Sequence, residues 1–304
     1  MGYLELLDGI LRSSAHALGE GLIDAQAAWI EAQEAPGGGF AGRQGRADLY
    51  YTDFALRALD LVAPQSTAFE TTAKRFLGEP FPGIHSLLDA FSMLSVDRLL
   101  RRRSLVARID RGHLAEVVAR QSLPGGGFAS ASGELSAYST FLGSLCLQML
   151  GEVAPEVPDP SAAVQALERP SGGFAERADS DRAQTNATAA VAAVLLIRGV
   201  LETGAARGAA EFVSIMQAED GGIRAHADAP GGDLLSSFTG LLTLVMLGSP
   251  AALDLPALAR FVRSAAGPQG GFGASPSDAG ADVEYTYYGI ASLALMRSML
   301  ESGS

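Results

Sequence analysis

The chain has 304 residues, 48% of them hydrophobic and 18% charged, with a net charge of −12. That balance excludes a disordered chain, and the lack of a basic excess argues against a general nucleic-acid binder. The one cysteine, Cys146, excludes an internal disulfide; it sits in the apolar run 141–150, where a buried structural thiol is expected.

Residues 1–15 begin acidic and lack the basic region of a signal peptide. No apolar stretch reaches the ~18–20 residues that span a bilayer, so the expectation is a cytoplasmic protein with no transmembrane segment. From there the chain repeats itself. Amphipathic segments at about 16–33, 67–78, 108–121, 160–169, 205–218 and 255–266 each lead into a glycine-rich signal. The signals are Gly38-Gly39-Phe40, Gly126-Gly127-Phe128, Gly172-Gly173-Phe174, Gly221-Gly222-Ile223 and Gly270-Gly271-Phe272. Their spacings are 88, 46, 49 and 49 residues, and the double gap holds a worn copy, Pro82-Gly83-Ile84. A more apolar segment follows each signal, at about 48–62, 85–100, 135–150, 182–200, 233–247 and 282–300. Within these, apolar residues recur at helical spacing, as in Leu49, Phe54, Leu56, Leu59 and Val62. No two-residue alternation appears, so no strands are expected.

The repeat has a physical logic. A reversing chain needs glycine where φ turns positive, and the aromatic residue after it can plug the seam between neighbouring hairpins. Asp48, Ser136, Asp233 and Asp282 stand where a helix would begin and can cap it. Segments apolar all round, such as Ala187 to Ile197, must be enclosed, whereas the preceding segments carry charges such as Glu70, Lys74 and Arg75. The expected architecture is therefore all-α: an α/α toroid of six helical hairpins with inner and outer barrels. It forms a single domain over 1–304, with turns near 39, 83, 127, 173, 222 and 271. Residues 1–15 are expected to pack beside the last unit or across one rim. Arg98, Arg101, Arg102, Arg103, Arg108 and Arg111 crowd together, as a solvated helix end or as a partner or phosphate surface.

The repeat resembles that of the prenyltransferase and squalene-oxidocyclase family, which includes protein prenyltransferase β subunits and class II terpene cyclases. The resemblance rests on Gln-x-x-x-Gly-Gly-Gly-Phe at 33–40 and 121–128 and on the unit from Gly270 through Asp282 to Ala294. It implies a central cavity for an isoprenoid lipid or diphosphate, open where the inner helices begin and their dipoles favour anions. The expected lining is Tyr51, Phe54, Tyr138, Phe238, Tyr285 and Tyr288.

The family's protein prenyltransferases hold zinc through an Asp and a Cys two residues apart and a His. Here Asp233 matches, but Leu235 replaces the Cys and Tyr285 the His, so no zinc cofactor is expected. The cyclases use an Asp-x-Asp-Asp acid. The nearest match, Asp179-Ser180-Asp181-Arg182, makes Asp181 a candidate, with Asp89, Asp53 and Asp233 as other acids. Three readings follow: an isoprenoid-binding, prenyltransferase β-subunit-like toroid without zinc-dependent thiol prenylation, a class II terpene cyclase-like enzyme, or a non-catalytic interaction scaffold. A helical-repeat α-subunit-like partner or a homodimer is the expected assembly.

Overall fold

The structure is a computed structural model that describes residues 2–77, 83–249, 253–278 and 280–302; Pro82 of the second turn lies outside them. The helices are α1 (Tyr3–Ala15), α2 (Glu20–Glu31), α3 (Leu49–Val62), α4 (Ala68–Leu77), α5 (Leu87–Arg101), α6 (Arg111–Gln121) and α7 (Ala137–Leu150). They continue as α8 (Ser161–Gln165), α9 (Thr185–Arg198), α10 (Thr203–Ile215), α11 (Leu234–Met246), α12 (Leu255–Ser264) and α13 (Val283–Ser302). The six apolar segments form the inner barrel: α3, α5, α7, α9, α11 and α13 pack each on the next, and α13 packs back on α3. The even-numbered helices α2 to α12 lie outside them, giving six hairpins in an α/α toroid. No helix of the described residues is long and apolar enough to cross a membrane.

The outer helix α8 is shorter than the segment 160–169 predicts, because Pro155, Pro158 and Pro160 crowd its start and Pro170 follows its end. In five of the six turns between an outer and an inner helix, glycines carry the chain through positive φ; Gly83 of the second turn does not. Gly221, at φ 91°, comes so close to α12 that a Cβ there would lie 2.5 Å from the Ala257 carbonyl oxygen. Gly270, at φ 97°, packs in the same way on Ala25 and Trp29 of α2, so the sixth turn closes the outer ring on the first hairpin.

The residue after the glycines is the seam plug. Phe40, Phe128, Phe174, Ile223 and Phe272 are all fully buried. Each donates its backbone N–H to a hydroxyl on the following inner helix: Thr52, Thr140, Thr188, Ser237 and Thr286, at 2.9–3.0 Å. A buried amide left unpaired is costly, so this hydroxyl is as much part of the repeat as the glycines. The seams also contain the strand structure that the sequence does not announce: β1 (Phe128–Ala129) pairs antiparallel with β2 (Leu135–Ser136), and single bridges such as Phe40 to Asp48 and Phe272 to Asp282 recur. Two residues are too few for an alternation to be visible.

The inner helices are capped where expected. Asp48, Ser136, Asp233 and Asp282 accept the N–H of Tyr51, Ser139, Ser236 and Tyr285. In the second unit Ser86 and Asp89 cap reciprocally.

Helix α1 belongs to no hairpin. It packs along α13 and against α3, with Leu4, Leu7 and Leu11 buried. The Tyr3 N–H donates to Gln148 Oε1 at 3.1 Å near the end of α7, and Arg297 near the end of α13 donates to the Ala17 carbonyl at 3.0 Å. The arginine cluster explains how it is held and is neither a free surface nor a solvated end. Arg98 and Arg102 both pair with the buried Asp8 of α1. Arg102 and Arg103 pair with buried Asp60 at 2.6 Å, and Arg101 and Arg111 with buried Asp97 at 2.8 and 3.3 Å. Arg103 also stacks 3.6 Å over the Phe69 ring. Of the six arginines, Arg101, Arg102 and Arg108 are exposed, the first two while still paired with buried carboxylates.

Candidate functional site in the barrel lumen

Because every inner helix follows its turn in the same way, all six run parallel and their first turns ring one mouth. The second residues of these helices are Tyr50, Leu88, Tyr138, Asn186, Leu235 and Glu284. One turn deeper come Phe54, Phe141, Ala189 and Ala190, Phe238 and Tyr288. These deeper residues, with Tyr138, Asn186 and Leu235 above and Arg57 and Phe91 beside them, enclose a cavity of ≈ 170 Å³ on the barrel axis. Its far end is closed by Tyr3, Leu4 and Leu7 of α1.

Four of the six expected lining residues, Phe54, Tyr138, Phe238 and Tyr288, line this cavity. Their rings form one cluster: Phe54 lies 5.3 Å from Tyr288 edge-on, and Phe238 stacks on Tyr288 at 5.4 Å. Tyr51 and Tyr285 do not line it. They are third residues of their helices, and a step of one residue turns a side chain by ~100° around the helix. Tyr285 instead lies at the rim, 5.9 Å from the Arg43 guanidinium. Tyr51 packs edge-on against Tyr50 at 5.1 Å. The residues before them, Tyr50 and Glu284, also lie outside the cavity lining, but Glu284 reaches it through Tyr288. Glu284 accepts from the Tyr288 hydroxyl at 3.3 Å. Burial holds its carboxyl above the usual range and nearby Asp282 adds to this, while the Tyr50 hydroxyl works the other way. Tyr138 is pushed up to about 12 by burial and by Glu284.

The second unexpected residue is Arg57, which lines the cavity although it occupies the middle of an apolar helix. Its guanidinium lies 3.9 Å from Asp53, donates to the Tyr287 hydroxyl at 2.6 Å and covers the Tyr287 ring at 4.1 Å. Burial pushes the Asp53 carboxyl up to about 6, against the pull of Arg57 and of the Ser95 hydroxyl. The spacing of Asp53 and Arg57, one helical turn, is the sequence signal for this buried pair.

The other acids are placed elsewhere. Asp181 is exposed in the loop before α9 and takes no part in the lumen. Asp89 is engaged at the start of α5, accepting from the Ser86 N–H and hydroxyl at 3.0 and 2.7 Å. Asp233 caps α11; burial raises its carboxyl while the Ser236 N–H lowers it. Beside it Leu235 presents hydrocarbon to the lumen, and burial pushes the Tyr285 phenol up to about 12. This donor set does not fit zinc, which takes thiolate, imidazole or free carboxylate. Among the described residues no group of three or more His, Cys, Asp or Glu side chains is placed to hold a metal ion. Burial pushes the Cys146 thiol up to about 12, which leaves it inert.

The mouth is acidic. Carboxylates sit on the positive ends of five inner helices: Asp48 on α3, Asp89 on α5, Glu176 on α7 through the Ser136 hydroxyl and the Tyr138 N–H, Asp233 on α11 and Asp282 on α13. The rim cation Arg43 is held by Asp278 and by Asp282 at 3.0 Å. At these five helices the dipole ends that would attract a diphosphate are thus already met by carboxylates from within the chain.

Residues 10–78 and 146–303 match the family described as prenyltransferase alpha-alpha toroid domain. Among solved structures, the chain is similar to Candida albicans protein geranylgeranyltransferase-I complexed with GGPP, with a TM-score of 0.72 at 14% identity over 90% of this chain and 91% of that one. It is similar to the type II terpene cyclase MstE from Scytonema, with a TM-score of 0.62 at 12% identity over 96% and 99%. It is also similar to an alpha-1,6-mannanase of Salegentibacter sp. HEL1_6, with a TM-score of 0.63 at 10% identity over 92% and 99%. Likeness at such identities concerns the fold alone. No curated protein matches its sequence.

Proposed function

The chain belongs to the prenyltransferase alpha-alpha toroid family, and on that premise we propose that its lumen binds a neutral isoprenoid chain, without zinc-dependent thiol prenylation. The observation that carries the reading is the cavity itself: aromatic on one side through Phe54, Phe238 and Tyr288, and small on the other through Ala189 and Ala190. A narrow apolar space with such walls suits an unsaturated hydrocarbon. The acidic mouth, with Glu284 and the capping carboxylates, favours a hydroxyl or other neutral head over a diphosphate. That a structural neighbour is complexed with GGPP supports an isoprenoid ligand for this fold.

The test is thermal melting with geraniol, farnesol and geranylgeraniol and with their diphosphates. An alcohol that binds stabilises the fold by mass action, about 2.7 kcal/mol at a hundred times its Kd. Ala190→Trp fills the small side of the lumen and abolishes that shift. If no isoprenoid moves the melting curve of the wild-type protein, the reading is wrong.

A second reading, acid-initiated cyclisation, has one observation in its favour. The half-buried Glu284 carboxyl, held above its usual range by burial, is hydrogen-bonded to Tyr288 in the cavity wall. Turnover of an isoprenoid that disappears in Glu284→Gln while binding persists would select this reading over simple binding.

A further inference from the structure

We propose that α1 sets the length of chain the lumen admits, so that a short isoprenoid is preferred over a farnesyl or geranylgeranyl chain. The inference rests on the isoprenoid-binding reading above and deepens it.

The enclosed space is ≈ 170 Å³. An apolar cavity of about 150 Å³ holds a single benzene ring, and pockets for larger ligands begin at about 300 Å³. The barrel itself does not impose this limit. Below the layer of Phe54, Phe238 and Tyr288 the inner helices continue for at least two further turns, and there α1 packs along α13 and against α3. A chain that enters at Tyr138 and Leu235 and runs between Phe238 and Ala190 meets Tyr3, Leu4 and Leu7 at the far end.

This floor is held from several sides. The Tyr3 ring stands edge-on to Phe141, with centroids 5.7 Å apart and planes at 83°. The Tyr3 N–H is bonded to Gln148, Leu7 is 2% exposed, and one turn later Asp8 is gripped by Arg98 and Arg102. A longer chain would have to displace Tyr3, Leu4 or Leu7 from these contacts. Because these three side chains lie outside the repeat, the limit they set is a property of this chain and not of its architecture.

The experiment measures binding of geraniol and farnesol by melting shift and by native mass spectrometry on the full chain. Wild-type protein is expected to bind geraniol at least about ten-fold more tightly than farnesol, the discrimination a full apolar pocket exerts against added methylenes. Tyr3→Ala and Leu7→Ala lengthen the space and bring farnesol binding to at least that of geraniol. Leu4→Phe shortens it and weakens geraniol about ten-fold, which gives a readout should either alanine variant fail to fold. Equal binding of both alcohols by wild-type protein, or alanine variants folded by circular dichroism that still reject farnesol, would overturn the proposal and leave lipid binding intact. Absence of binding of every alcohol to every variant would overturn the isoprenoid reading itself.

Discussion

At one end of the barrel, six helices begin in the same register, each behind a glycine turn and five of them under a carboxylate. At the other end the same helices finish around a helix that is found nowhere else in the repeat, and arginines hold it in place. The first end is built by short-range rules applied six times, so its parts substitute for one another: Ser136 with Glu176 does for α7 what Asp233 does alone for α11. The closed end depends on single, unrepeated contacts between residues about 90 positions apart, such as Asp8 with Arg98. Loss of one part should therefore cost more there than at the mouth.

Four substitutions test that contrast. At the closed end, Asp8→Asn leaves Arg98 and Arg102 without their shared buried carboxylate, and urea denaturation should report a loss of about 3 kcal/mol. A loss under about 0.5 kcal/mol, typical of an exposed pair, would mean that the clamp does not hold α1. At a seam, Thr286→Val removes the acceptor of the buried Phe272 N–H and should cost about 2 kcal/mol. Thr52→Val, at the equivalent place in the first unit, should match it; unequal losses would show that these seams are not energetically alike. At the mouth, Asp233→Ala removes one cap of several and should cost about 1 kcal/mol. Metal analysis of that variant and of wild type should show no difference in zinc, and a stoichiometric zinc lost with Asp233 would refute the zinc-free reading.

The contrast between the ends also governs what can be read without coordinates. Helix placement, turn positions and four of the inner-helix caps follow from local patterns, since periodicity, glycine φ preference and capping act over a few residues. The lumen-facing register was half legible. Phe54, Tyr138, Phe238 and Tyr288 line the cavity, whereas Tyr51 and Tyr285 lie outside its lining. Counting two residues on from each cap in all six units would have found the mouth ring, because parallel helices started by the same device keep the same rotation. Thr52, Thr140, Thr188, Ser237 and Thr286 likewise recur 12 or 14 residues after the seam plug, a spacing that the eye passes over because serine and threonine are common.

The repeat by itself determined that this chain closes into a double ring with an apolar centre, because no hairpin can bury its own face and six can bury one another's. What fills that centre was decided in three dimensions. Nothing local in residues 3–15 marks them as the floor of the lumen, and nothing local in the arginine run distinguishes a clamp from a solvated end. Burial of Leu4 and Leu7, the pairing of Asp8, Asp60 and Asp97 with arginines, and the isolation of Arg57 beside Tyr287 arise only when the ring has closed. Charges far apart in sequence are then brought together out of water, where each must find a partner.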